Sequence, residues 1–273
     1  MEKIDHRKFG QRFGLFDFSE SSPGFVLWHP RGMTLYRTIV EDLRNTLLDL
    51  GYQEIKTPTL FNKDLFEKSG HIQNFQDRML FAGGVDELQK AQWPYAVKPM
   101  NCPEAMLIFN QSVRSYRDLP LRMMEFGQVY RYEQAGEVNG LFRTREFTID
   151  DAHIFCREDQ VQEEIEQLVE LRIRVYQKYG FKKFSVELST RPKKSIGTDE
   201  QWTKANANLI AALKKKEIQY KENPGEGAFY GPKIDVHIED AHGRRWQLGT
   251  TQLDFAMPER LSVFYTDADG KKR

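Results

Sequence analysis

Residues 122–155 read RMMEFGQVYRYEQAGEVNGLFRTREFTIDDAHIF, and they carry the clearest indication of the fold. Two extended runs, Arg122 to Glu133 and Arg145 to Phe155, flank a loop that contains Gly136 and Gly140. Extended runs separated by a short glycine-containing segment are typical of a β-hairpin. We therefore expect the two runs to be neighbouring strands of one sheet.

Amphipathic helices are predicted on both sides of this hairpin. Apolar residues recur at helical spacing from Thr34 to Leu50, from Val161 to Tyr176 and from Trp202 to Leu213, which predicts three long helices. The shorter predicted elements are an opening helix over Lys3 to Phe16, a helix beginning at Pro103, and strands over Tyr52 to Thr57, Tyr95 to Lys98, Lys233 to Ile238 and Arg245 to Phe255. The elements lack regular β–α–β alternation. We therefore predict an α+β fold, with a mainly antiparallel sheet flanked by helices.

Composition and charge limit the functional classes. The 273 residues are 40% hydrophobic, enough to bury a core, and 40 basic residues balance 40 acidic ones. A neutral chain does not indicate nucleic-acid binding through bulk charge, so any RNA contact needs a local patch. Two cysteines fit a reducing compartment better than a disulfide framework. No apolar run approaches the roughly 18 residues of a membrane-spanning helix, and we expect a cytoplasmic protein without a membrane segment.

Two arginines, Arg131 and Arg143, face each other across the predicted hairpin. Guanidinium groups match phosphate oxygens in shape and charge, so this pair could grip a polyphosphate. The same two residues could also be ordinary surface charges on an exposed strand. Spacing alone favours surface charges, because charged side chains on exposed strands are common and their ion pairs contribute little to stability.

Two further patterns carry chemistry of interest. Cys102 and His153 suit Zn²⁺, although structural zinc sites need four ligands and catalytic ones usually three, so a buried cysteine and a core histidine explain the pair as well. In residues 225–233 (GEGAFYGPK), glycines would let backbone approach a ligand beside Tyr230 and Lys233, or would form an ordinary turn. Neither phosphate-loop pattern occurs in the sequence. The residues alone are thus compatible with a nucleotide-binding α+β domain and do not decide between these alternatives.

Read in order, these segments resemble the threonyl-tRNA synthetase family of class II aminoacyl-tRNA synthetases. The resemblance extends over essentially the whole chain and rests on residues 28–32 (WHPRG), 51–58 (GYQEIKTP), 69–71 (SGH), 98–103 (KPMNCP), 130–133 (YRYE), 147–156 (FTIDDAHIFC), 225–233 (GEGAFYGPK) and 246–255 (WQLGTTQLDF). It places motif 2 of the class on the predicted hairpin. It also implies an antiparallel sheet of about six or seven strands.

The resemblance implies an ATP site on the hairpin, with Mg²⁺ accompanying the nucleotide. Arg131 would contact the α-phosphate and the threonine carboxylate and stabilise the charge that develops between them. Glu133 would accept from the adenine amino group, and Phe147 would stack on adenine. Arg143 would hold the terminal phosphates, and Gln247 would line the site.

The resemblance also implies a threonine site, a metal and two further catalytic residues. Cys102 and His153 would bind Zn²⁺, which in this family ligates the amino and hydroxyl groups of the substrate. Asp151 would accept a hydrogen bond from that hydroxyl, and Tyr230 would help to hold the amino group. The remaining catalytic candidates are His71, matching a histidine thought to assist transfer at the terminal ribose of tRNA, and Lys233.

The chain departs from the family pattern at several positions. Glu104 and Ala105 stand where the family has Gly-His, and Glu146 and Ile149 replace a glycine and a glutamine. The family continues beyond Arg273 into the third zinc ligand and the motif 3 arginine. We therefore expect residues 1–273 to form a catalytic domain that is incomplete at its C-terminus, without motif 3, an anticodon-binding domain or an editing domain, and with impaired activity.

The function implied is that of a threonine–tRNA ligase core, with ATP, threonine and tRNA(Thr) as its partners. The helix from Thr34 to Leu50 and Pro58 match motif 1, which implies a homodimer. One alternative is a non-catalytic synthetase-like fragment or paralogue that binds ATP or a partner. Another is a class II synthetase for proline or serine, against which Cys102, His153 and Asp151 argue.

Overall fold

The computed structural model describes residues 5–90, 92–240 and 242–273. The chain divides into two compact units, each built from two chain segments. The N-terminal unit comprises Met1–Ser112 and Leu121–Ile154, and the C-terminal unit comprises Val113–Pro120 and Phe155–Arg273. The predicted start of the opening helix, at Lys3, lies outside the described residues.

The N-terminal unit contains six helices and eight strands within its described residues. Its helices are α1 (His6–Phe13), α2 (Pro30–Asp49), α3 (Asp64–Lys68), α4 (His71–Phe75), α5 (Val85–Gln89) and α6 (Cys102–Phe109). Its strands are β1 (Phe16–Phe18), β2 (Val26–Trp28), β3 (Gln53–Glu54), β4 (Leu60–Asn62), β5 (Leu80–Ala82), β6 (Tyr95–Val97), β7 (Leu121–Tyr130) and β8 (Glu146–Phe155), the last of which ends at the unit boundary. They form three sheets, in the orders β1-β2, β4-β6-β5 and β3-β7-β8. The predicted hairpin strands are therefore neighbours, as expected.

The C-terminal unit packs helices on one four-stranded sheet. Its helices are α7 (Val161–Lys178), α8 (Asp199–Lys215) and α9 (Met257–Arg260), and its strands are β9 (Phe184–Ser189), β10 (Lys221–Asn223), β11 (Lys233–Glu239) and β12 (Arg245–Gln252). The strand order is β10-β9-β11-β12. The apolar stripes of α7 and α8 meet the sheet in a core that includes Ile165, Leu188, Leu209, Leu213 and Ile234.

The fold class agrees with the prediction, whereas the size of the sheet does not. The largest sheet in the described part of the chain has four strands rather than six or seven. Most pairings given in register are antiparallel, as in β11 with β9 and β12. However, β3 pairs with β7, and β10 with β9, in parallel. Parallel partners are distant in sequence, so local patterns give no sign of them.

Two predicted strands are shorter than expected, and a carboxylate accepts from backbone amides close to the end of each. The strand from Tyr52 to Thr57 is reduced to β3, and the Thr57 amide donates to Glu125 at 2.7 Å instead of to a neighbouring strand. The strand predicted to reach Phe255 ends at Gln252. Beyond it, the Asp254 carboxylate accepts from two amides at the start of α9, each at 2.9 Å.

The helices that the structure describes include none with both the length and the apolar character needed to cross a bilayer.

Candidate active site

Arg131 lies where β7 leaves the sheet, and backbone bonds fix its position. Its amide donates to the Arg145 carbonyl at 2.9 Å, which closes the base of the hairpin. Its guanidinium Nε donates to the Pro99 carbonyl at 3.1 Å. The guanidinium carbon also lies 5.1 Å from the ring centre of Phe147 and 5.7 Å from that of Phe75. A cation held over an aromatic ring at the mouth of a hairpin is suited to a planar, anionic ligand.

Glu133 is buried and is held between two arginines. Its Oε2 accepts from Arg78 at 2.6 Å and from the Nε of Arg143 at 2.9 Å. Both arginines also contact Glu137 in the loop after β7, Arg78 through two hydrogen bonds and Arg143 at 3.6 Å. The structure thus brings together two predicted site residues, Glu133 and Arg143. The arginine pair predicted across the hairpin is shifted, because Arg131 lies opposite Arg145 and Arg143 pairs with Asn139. The structure also adds Arg78, which sequence reasoning missed because no pattern links it to the hairpin.

His71 is fully buried at the start of α4. Its Nδ1 lies 2.8 Å from the Ser69 hydroxyl, and its Nε2 lies 3.3 Å from the sulfur of Met100. Burial, and then the positive charge of Arg131, lower the pKa of His71 to about 4. The imidazole is therefore neutral at pH 7, which suits a hydrogen-bonding or proton-accepting role rather than a charged one.

Asn101 joins the segment that carries Cys102 to β8. Its side-chain amide donates to Asp151 at 3.0 Å, and it stands immediately before α6, whose first residue is Cys102. Asp151 and His153 are two residues apart on a strand, so their side chains share one face of β8. The contact between Asn101 and Asp151 therefore holds together the two segments that carry the predicted zinc ligands.

The donor set fits zinc only in part. Cysteine and histidine are zinc-type ligands, and neither Cys102 nor Cys156 is in a disulfide. Yet in the ranges that the structure describes, no three histidine, cysteine or acidic side chains are grouped for a metal ion. Two donors fall short of the three that catalytic zinc sites usually have.

Glu104, which departs from the family pattern, is buried in α6. Only 1% of its surface is exposed, and its two carboxylate oxygens have no hydrogen-bond partner among the described residues. Burial raises the pKa of Glu104 to about 8. The side chain is therefore neutral at pH 7, a state that avoids placing an unpaired charge in the interior.

The remaining predicted residues belong to the C-terminal unit and are organised by Asp235. This buried carboxylate on β11 contacts the Lys233 ammonium at 2.5 Å and accepts from Gln247 at 2.9 Å. Ser189 donates to it as well, at 2.7 Å. The Tyr230 hydroxyl instead donates to the side chain of Gln252. Sequence reasoning missed Asp235, although its spacing of two from Lys233 on a predicted strand places the two side chains on one face.

A family model for the tRNA synthetase class II core domain (G, H, P, S and T) matches residues 86–273. The chain belongs to this family. Among curated relatives, the class II core aligns with the threonine–tRNA ligases of Methylobacillus flagellatus, at 47% identity, and of Nitrosomonas eutropha, at 48%, each over 272 residues. It is covered completely in both alignments and spans 42% of each ligase.

Solved structures agree with this assignment. The RNA-binding domain of threonyl-tRNA synthetase from Cryptosporidium parvum superposes with a TM-score of 0.93 at 40% identity, over 99% of this class II core and 66% of that chain. A prolyl-tRNA synthetase from Giardia lamblia superposes with a TM-score of 0.70 at 17% identity, over 97% of this chain and 47% of that one. The similarity to the prolyl-tRNA synthetase, at this low identity, is evidence for a shared fold only.

Gly127 on β7 is predicted to be required for the contact between Asn101 and Asp151. A methyl group at Gly127 would stand 2.2 Å from the side-chain oxygen Oδ1 of Asn101 and 2.5 Å from its side-chain nitrogen Nδ2. Gly127→Ala should therefore lower the free energy of unfolding by about 1–3 kcal/mol, measured by urea denaturation. The matched control is Gly136→Ala, where a methyl group would meet nothing within 4 Å. Equal stability of the two variants would contradict this account of the site.

Proposed function

We propose that this chain is the catalytic core of a threonine–tRNA ligase. Such a core joins threonine to ATP as threonyl-adenylate, releases pyrophosphate, and transfers the threonyl group to tRNA(Thr). The observation that supports this most strongly is the 47% identity to a threonine–tRNA ligase along 272 residues. The hairpin geometry adds support, because Arg131, Phe147, Glu133 and Arg143 meet around one loop.

In the proposed activation step, one carboxylate oxygen of threonine attacks the α-phosphorus and pyrophosphate leaves with Mg²⁺. Arg131 stabilises the negative charge that builds up on the α-phosphate, and its anchoring to the Pro99 carbonyl limits reorganisation. Adenine stacks on Phe147. The Glu133 carboxylate turns from the arginines to the adenine amino group, Arg143 follows the terminal phosphates, and Gln247 lines the site.

Threonine selection is proposed to involve Cys102, His153, Asp151 and Tyr230. Cys102 and His153 would hold a zinc ion, which when bound supplies a Lewis acid for the amino and hydroxyl groups of the substrate. Asp151 accepts from the substrate hydroxyl, and Tyr230 orients the amino group. A site that must bind a hydroxyl can reject valine by roughly 10⁴–10⁵, whereas an apolar pocket of the same size cannot.

The transfer step is assigned to His71 and Lys233. His71 is uncharged at pH 7, because burial lowers its pKa to about 4. A neutral imidazole can accept a proton from a ribose hydroxyl or hold that hydroxyl in place. Lys233 is oriented by Asp235 at 2.5 Å, so its ammonium has one defined direction.

The main test is threonine-dependent exchange between ATP and pyrophosphate. The chain should catalyse this exchange at the reduced rate expected from its sequence, and Arg131→Gln should slow it by a further factor of about 10²–10³, the usual cost of losing one donor to developing charge. Arg174→Gln, an exposed arginine on α7, is the control and should leave the rate unchanged. Exchange that depends on proline or serine would contradict the choice of substrate. A chain that exchanges with no amino acid would contradict the activity.

The metal assignment is tested with cobalt(II) in place of zinc. Thiolate ligation to cobalt gives a charge-transfer absorption band, and Cys102→Ser should abolish it. Cys156→Ser is the matched control, because it removes the other cysteine of the chain and should preserve the band. A band that depends on Cys156, or no band in the unmodified chain, would rule out the proposed pair of ligands.

A homodimer is proposed through the apolar face of the N-terminal unit. Leu35 is 50% exposed and Ile39 is 38% exposed, and they lie one turn apart on α2. Contiguous exposed apolar side chains of this kind mark interaction surfaces. The chain should sediment as a dimer at micromolar concentration, and Ile39→Asp should convert it to a monomer. Val113→Asp is the control: Val113 is 93% exposed, and this variant should remain a dimer. A monomeric unmodified chain would refute the proposal.

A further inference from the structure

Glu137 lies in the loop between β7 and β8 and binds Arg78 through two parallel hydrogen bonds. The distances are 2.5 Å from Oε2 to Nη1 and 2.9 Å from Oε1 to Nη2. Its Oε1 also lies 3.6 Å from Nη2 of Arg143. The carboxylate therefore spans two guanidinium groups, one of which is the arginine assigned to the terminal phosphates.

This arrangement imitates the binding of a phosphate. Two parallel N–H···O bonds from one guanidinium are the geometry in which arginine holds either a carboxylate or a phosphate. Arg78, Arg143, Glu133 and Glu137 together carry no net charge, so the cluster offers little attraction to a polyanion as it stands. The Arg78 guanidinium in particular lowers the pKa of Glu137 to about 2, and the side chain is anionic at any working pH.

The two acidic residues differ in how firmly they are held. The Glu133 side chain is 9% exposed, and its backbone carbonyl accepts from Arg145 at 2.9 Å. The Glu137 side chain is 31% exposed, and its local anchor is a turn in which the Gln134 amide donates to the same carboxylate at 3.0 Å. Gly136 beside it stands in open space. Residues 134–138 can therefore swing out at little cost. The backbone of Glu133, by contrast, is tied to Arg145, so that only its side chain can turn.

We propose that Arg78 is a further contact for the nucleotide phosphates, and that Glu137 occupies the phosphate position on Arg78 and Arg143 until nucleotide displaces it. This inference rests on the proposed function, because it assigns a new residue to the same ATP site.

Nucleotide binding and movement of residues 134–138 are then one event. The later part of the loop stays in place, because the Asn139 amide donates to the Arg143 carbonyl at 2.9 Å and the Leu141 amide donates to the His6 ring at 3.0 Å. The bound state is then reached only from the fraction of molecules whose loop is open, and the apparent affinity falls by that fraction.

The experiment measures binding of inorganic tripolyphosphate, and of ATP with Mg²⁺, by titration calorimetry. Glu137→Gln removes the competing charge, keeps the size of the side chain, and should tighten binding of tripolyphosphate about threefold to tenfold. Arg78→Gln should weaken it by a similar factor. Glu170→Gln, which removes an exposed carboxylate paired with Lys216 at 2.8 Å, is the control and should change neither affinity.

A second measurement, hydrogen exchange without ligand, follows the loop itself. Amides of residues 134–138 should exchange faster in Glu137→Gln than in the unmodified chain, because the hydrogen bonds from Arg78 to this side chain are weakened. In the unmodified chain, tripolyphosphate should also speed exchange at Gln134, whose amide loses its carboxylate acceptor. Unchanged exchange in both comparisons would overturn the displacement of Glu137.

The outcomes separate this inference from the proposed function. A chain that shows threonine-dependent exchange, but binds tripolyphosphate no more tightly as Glu137→Gln, would overturn the inference alone. Undiminished binding by Arg78→Gln would remove Arg78 from the site. Tight binding by Glu137→Gln, in a chain that exchanges with no amino acid, would support the inference and contradict the ligase activity. Absence of binding in every variant would overturn the inference, whatever the exchange assay shows.

Discussion

A buried ion pair between Lys98 and Glu125 is the constraint on which the N-terminal unit depends. The Lys98 ammonium lies 3.2 Å from the Glu125 carboxylate and 2.7 Å from the Thr57 hydroxyl, with almost no exposure to solvent. Glu125 also accepts from the Thr57 amide at 2.7 Å. Removing two charges from water is costly, and it is offset only where further hydrogen bonds complete the pair, as Thr57 does here. The network therefore ties β7 to the segments that follow β3 and β6.

The candidate site inherits its geometry from that network. The Lys98 carbonyl accepts from Tyr130 at 3.0 Å, and the next carbonyl, of Pro99, accepts from Arg131 at 3.1 Å. Asn101 then reaches Asp151 across the space that Gly127 leaves free. The segment from Lys98 to Asn101, which follows β6, thus positions both Arg131 at the base of the hairpin and the start of α6. Every step is a backbone or side-chain hydrogen bond, so Arg131 and Asn101 are held with little freedom before any ligand arrives.

Sequence patterns predicted the parts of the fold that local periodicity controls. The helices α2, α7 and α8 and the neighbouring strands β7 and β8 stand where apolar spacing and the glycine-containing loop place them. The failures involve long-range partners. Thr57 leaves its strand for a carboxylate 68 residues away, which no window of local sequence reveals. The parallel pairing of β3 with β7 is invisible for the same reason.

The candidate site shows the same division. Spacing alone favoured surface charges for Arg131 and Arg143, and only the ordered resemblance to a family gave them a role. Arg78 escaped notice because its partners Glu133 and Glu137 are 55 and 59 residues further along the chain. Asp235 was missed for a different reason. Its role depends on Gln247, which reaches it from the neighbouring strand.

A crystal structure with a non-hydrolysable ATP analogue and Mg²⁺ would show whether the loop between β7 and β8 is the nucleotide site. We expect adenine on the Phe147 ring, the α-phosphate on Arg131, and terminal phosphate oxygens on Arg78 and Arg143 in place of the Glu137 carboxylate. A nucleotide bound away from this hairpin, with Glu137 still paired to Arg78, would contradict this assignment.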